Sequence, residues 1–129
     1  MPNIFLVQWD KAGAAERTRA LRREGWTVTA ETEDGGRAYK KIREDPPDVV
    51  VIDLAKKPSH GRQVAQALRD VKASRGIPIV FVDASDEAQR ATSVDDAVFT
   101  TSATLAQIIA RVSRRADSGP AGTRRRRRS

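Results

Sequence analysis

Three aspartates stand at or just beyond the ends of short apolar runs. Asp10 follows Ile4-Phe5-Leu6-Val7, Asp53 follows Val49-Val50-Val51-Ile52, and Asp83 follows Ile79-Val80-Phe81-Val82. Carboxylates brought together from separate segments would make one anionic site. The only histidine, His60, has no Ser or Cys constellation around it and reads as a solvated loop residue. Asp34-Gly35-Gly36 lacks the spacing of a phosphate-binding glycine loop and reads as a turn. No nucleophile–base pair and no His-based metal set is visible, so an independent enzyme is not expected.

The elements that must position these acids follow from periodicity. Val49–Ile52 and Ile77–Val82 are unbroken apolar runs, as expected of strands covered on both faces. Ile4–Val7, Trp26–Ala30 and Ala97–Phe99 read as further strands. Helices are expected over about 11–24, over a segment carrying Ala38, Tyr39 and Ile42, over about 62–74 after a loop from Lys56 to Gly61, over about 85–93, and along Leu105, Ile108, Ile109 and Val112. Strands alternating with helices imply a five-stranded parallel sheet, doubly wound, in the α/β class. In such sheets ligands gather at the carboxyl ends of the strands, where Asp10, Asp53 and Asp83 stand.

With 129 residues, 39% hydrophobic and 32% charged, the chain suits one soluble domain and one core. No apolar run approaches the roughly 20 residues of a spanning helix, so no membrane insertion is expected. There is no cysteine and no secretory leader pattern, so a cytoplasmic location is expected. The net charge is +7, yet residues 1–116 hold 19 Lys and Arg against 16 Asp and Glu. Much of the excess lies in Arg124, Arg125, Arg126, Arg127 and Arg128. Residues 1–116 are therefore expected to form the domain and 117–129 a disordered Arg-rich tail. Such a tail can attract nucleic acid or another anionic surface. It carries no interleaved aromatics for base stacking, and it also reads simply as a solubilising terminus.

Over about residues 3–116 the chain resembles a response-regulator receiver domain of two-component signalling, of the CheY-like superfamily. The resemblance rests on Phe5-Leu6-Val7 with Asp10, on Val49–Leu54 around Asp53, on Gly61 eight residues later, on Leu68-Arg69, on Ile77-Pro78-Ile79-Val80 and on Asp95-Asp96. It implies that Asp53 is the phospho-acceptor position, that Asp10 and Asp53 are the metal ligands for Mg²⁺, and that a signalling protein is the partner.

Several positions depart from the family pattern. Trp9 replaces one of two acids after the first strand, and Asp83 replaces a hydroxyl residue. Thr100 replaces a lysine, Thr101 a proline, and Ala97 an aromatic that reports switching. Pro58 comes one residue late, and the segment from Asp83 to Thr100 is short. This pattern is that of a degenerate, or pseudo-, receiver. Phosphoryl transfer needs positive charge on the transferring oxygens, and here a lysine is lost and a carboxylate gained. Asp53 then has two readings: a phospho-acceptor, or an acid that binds a cation or caps a turn. Three functions remain in play: a stand-alone module acting by protein–protein contact, a working phospho-receiver, and a nucleic-acid-associated protein using its tail. Trp9 reads as packing, as a lid over the strand ends, or as an anchor for a partner.

Overall fold

The computed structural model describes residues 2–117. The strands are β1 (Asn3–Val7), β2 (Thr27–Glu31), β3 (Val49–Asp53), β4 (Ile79–Val82) and β5 (Ala97–Thr100). The helices are α1 (Lys11–Arg22), α2 (Gly35–Glu44), α3 (Pro58–Asp70), α4 (Asp86–Ala91) and α5 (Leu105–Asp117), with a 3₁₀ turn at Ser102–Thr104 before α5. All strand pairs are parallel and the order is β2-β1-β3-β4-β5. The α/β doubly wound sheet is therefore as the alternation of elements implies. The arginines at 124–128 lie outside the described residues.

Pleating sends alternate residues of each strand to opposite faces. Ile4, Leu6, Val49, Val51, Val80 and Val82 pack with α1 and α5. Phe5, Val7, Val50, Ile52, Ile79 and Phe81 pack with α2 and α3. All five residues of the central β3 are buried, which explains its unbroken branched run.

Local chemistry sets the helix ends. Asp34 caps α2 by accepting from the Arg37 amide at 3.1 Å, so the turn residues Gly35-Gly36 open the helix. Ser85 caps α4 in the same way through the Ala88 amide. The helix expected from Arg62 starts earlier, at Pro58, and stops at Asp70. Proline suits the first helical turn, where its missing N–H is no loss. His60 accordingly sits in the first turn of α3 rather than in a loop.

Arg69, on α3, is a buried strut. Its guanidinium donates to the carbonyls of Asp95, Arg75 and Ile77 at 2.8–2.9 Å. Burial lowers its pKa, and Asp96 and Asp95 oppose that shift.

Candidate functional site

The carboxyl ends of β1, β3 and β4 border a cleft of about 560 Å³ between the sheet, α1 and the start of α5. Gln8, Asp10, Arg17, Asp53, Asp83 and Ser102 line it. The three aspartates share this cleft, but their surroundings differ.

Asp53 ends β3 on the α1/α5 face and is 5% exposed. Its Oδ1 accepts from the Ala55 amide at 2.7 Å, and its Oδ2 lies 3.4 Å from Arg17 Nη2. Burial raises its pKa above the usual carboxylate value. The Ala55 amide and Arg17 oppose the rise, and the charges of Asp83 and Asp10 add to it.

Asp83 reaches the cleft by an unusual backbone. Strand alternation after Val82 would send it to the α2/α3 face. Its φ of 58° lies in the left-handed region and turns the chain instead. Oδ1 then accepts from the Ser102 amide at 2.9 Å, and Oδ2 from the Ser102 hydroxyl at 2.6 Å. Arg17 Nη2 stands 3.2 Å from the same Oδ2. Burial pushes the Asp83 carboxyl up, but Ser102 and Arg17 together outweigh it and hold it below the usual range.

Arg17 thus faces two carboxylates with one nitrogen. Like unit charges that close repel by roughly 2–4 kcal/mol at an effective dielectric of 20, so the pair needs a counter-ion. α1 supplies one. Arg17 was not legible as a site residue in the sequence. It sits beside the inward-facing Ala14, Thr18 and Leu21 in a helix that also carries Arg19 and Arg22, and nothing local separates it from them. Gln8 was missed too. Val7 pairs with Ile52, so Gln8 follows in step with Asp53 on the same face.

Asp10 is the residue before α1. Its side chain makes no cap hydrogen bond, and Lys56 Nζ approaches its Oδ2 at 3.7 Å. Gly13 lies under it, where an added Cβ would fall 2.5 Å from Asp10 Oδ2. Trp9 turns to the other face, packs on the α2/α3 core and meets the His60 ring edge-on at 5.5 Å. It does not cover the acids. Thr100 Oγ1 is 2.6 Å from Thr104 Oγ1 at the start of α5. Ala97 is half-buried on the α2/α3 side, where Phe99 stacks on Phe81 at 5.2 Å.

Mg²⁺, the ion implied for Asp10 and Asp53, does not fit the residues as they stand. Asp53 already has a cation at Oδ2 and an amide at Oδ1. Among the described residues no three acidic, His or Cys side chains are grouped to hold a metal ion. A separate acid, Glu31 at the end of β2, is also enclosed: Arg37 and Lys41 contact it at 3.0 and 3.2 Å.

No helix among the described residues is long and apolar enough to cross a membrane. The family model for the response regulator receiver domain matches residues 4–101. The chain is 36% identical over 86 residues to the probable transcriptional regulatory protein TcrX of Mycobacterium tuberculosis, a match covering 66% of this chain and 36% of that protein. It is 37% identical over 84 residues to the DNA-binding response regulator MtrA of Mycolicibacterium smegmatis, covering 65% and 35%. The chain thus matches little more than a third of the length of these relatives.

Two solved structures are similar in fold. The receiver domain of the Francisella response regulator 1452 has a TM-score of 0.69 at 22% identity, covering 89% of this chain and 98% of that one. The Vibrio cholerae chemotaxis protein CheY4 has a TM-score of 0.71 at 20% identity, covering 87% and 98%. With the parallel sheet, its strand order and the acids at its carboxyl rim, these matches make the conclusion direct: the chain belongs to the response-regulator receiver domain family.

Proposed function

We propose that this receiver domain is a cytoplasmic signal-transduction module that acts by protein–protein contact, with phosphorylation of Asp53 impaired or absent. One observation carries the reading: the Asp53 carboxylate is buried, and both of its oxygens are already engaged, by the Ala55 amide and by Arg17. A phosphoryl donor would meet a second carboxylate, Asp83, in the same cleft, and Thr100 offers it no positive charge. This is a pseudo-receiver by chemistry, and no enzymatic activity of its own is assigned to it.

A second reading keeps Asp53 as a phospho-acceptor. It draws on Arg17, whose guanidinium at 3.4 Å could stand in for the lost lysine. Acetyl phosphate or beryllofluoride, each with Mg²⁺, separates the two. The expected result is that the backbone amides around Asp53 do not move. Large saturable shifts there would establish the second reading and end the first.

The domain is taken as residues 1–116. DNA binding in the names of the relatives belongs to proteins whose length is mostly unmatched here, so it is not carried over. Arg124–Arg128 are proposed as an anionic-surface or nucleic-acid contact on charge alone. Removing 118–129 should then abolish any salt-dependent DNA or RNA binding.

A further inference from the structure

We infer that the Arg17 guanidinium is the resident cation of this pocket, standing where a divalent metal would otherwise sit and tying α1 to β3, β4 and the start of α5. The inference deepens the reading above and rests on Asp53 as an unmodified carboxylate.

The contacts converge on one atom. Arg17 Nη2 lies 3.1 Å from Ser102 Oγ, 3.2 Å from Asp83 Oδ2 and 3.4 Å from Asp53 Oδ2. The side chain is 14% exposed, whereas Arg19 and Arg22 on the same helix are exposed. Ordering and burying an arginine is unfavourable unless fixed anions receive it, and here two do.

The other carboxylate oxygens each have a partner of their own. Asp53 Oδ1 takes the Ala55 amide, and Asp83 Oδ1 takes the Ser102 amide. Mg²⁺ demands near-octahedral oxygen ligands at about 2.0–2.1 Å, and the Oδ2 atoms of both carboxylates already face Arg17. A metal added beside the guanidinium would set two cations against each other.

Gln8 completes the argument. It follows Val7, whose partner is Ile52, is 5% exposed, and lines the cleft with a neutral amide. A neutral side chain there adds no further negative charge to the two carboxylates that Arg17 faces. Its Oε1 and Arg17 Nη1, both buried, have no hydrogen-bond partner in the protein. These two complementary groups line the same cleft.

The test is a Mg²⁺ titration of the full chain, without any phosphoryl donor, read at the amides of Gln8, Asp53, Ala55, Asp83 and Ser102. Wild type should show no saturable shift. Arg17→Gln should unfold at a lower temperature and gain a saturable Mg²⁺ response at those amides. Arg17→Lys, which keeps a tethered charge, should fold and stay unresponsive, and it serves if the glutamine variant does not fold. Saturable shifts in wild type, or a glutamine variant as stable as wild type at neutral pH, would overturn the inference. If wild type binds Mg²⁺ yet ignores beryllofluoride, the inference falls and the signalling reading stands. A response to beryllofluoride ends the reading in which Asp53 is not phosphorylated, while Mg²⁺ alone decides this one.

Discussion

Ser102 gives both of its donors to Asp83, the amide to Oδ1 at 2.9 Å and the hydroxyl to Oδ2 at 2.6 Å. The residue that follows the fourth strand is therefore held from the 3₁₀ turn before the last helix, 19 positions along the chain. The arrangement depends on the left-handed backbone at Asp83, which Asp and Asn tolerate and β-branched residues do not.

Restoring a hydroxyl residue there should fail for that reason. Asp83→Thr should lose roughly 1–2 kcal/mol from backbone conformation alone, plus its bonds to Ser102. Asp83→Asn should keep the backbone and lose less. Urea unfolding of the two variants gives the comparison, and a threonine variant as stable as the asparagine one would contradict it.

Acid should act on two carboxylates in opposite directions. Glu31 is held at about 2 against an ordinary 4.5; burial pushes it up, but Arg37, Lys41 and the amides of Glu33 and Asp34 outweigh that. Its folded value lies below its unfolded one. It therefore stabilises the fold above pH 4.5, and that contribution is lost as the pH falls toward 2. Glu31→Gln should cost roughly 2 kcal/mol at neutral pH, with the difference closing in acid.

Asp53 has the reverse sign, because its folded value is raised above 3.8. Its stabilising contribution is present below 3.8 and is lost as the pH rises through the folded value, so the charged form opposes folding at neutral pH. Asp53→Asn should raise the thermal midpoint at pH 7, and the gain should shrink below pH 3.8. A lower midpoint at pH 7 would show that Arg17 holds Asp53 more strongly than burial opposes its charge.

Gly61 is a packing glycine. A Cβ there would fall 2.6 Å from Leu54 Cδ2 and 2.8 Å from Ile52 Cγ2. Gly61→Ala should cost about 1–3 kcal/mol through overpacking, with chemical shifts moving around Leu54. A neutral effect would mean that α3 slides freely on β3.

Arg69→Lys should not be conservative. Its planar fork reaches carbonyls on both sides, at Asp95, Arg75 and Ile77, and one ammonium cannot span them. Unpaired buried carbonyls should cost on the order of 2 kcal/mol, measured by denaturant unfolding.

The sequence alone determined the architecture, because hydrophobic periodicity is local. Val49–Ile52 and Ile79–Val82 read as strands covered on both faces, their alternation with helices implies a parallel sheet, and acids that follow such strands come out at one rim. Periodicity also left the start of α3 late, since Pro58 reads equally as loop or as first helical turn. What only the tertiary structure decided is which groups meet. Arg17 and Asp83 are 66 residues apart, and their contact depends on where α1 lies across the sheet and on a backbone turn at Asp83 that no spacing announces. Trp9 and Gln8 divided between the two faces for a similar reason. A pleat of period two places neighbours on opposite sides, and which side holds the acids follows from the register of β1 against β3.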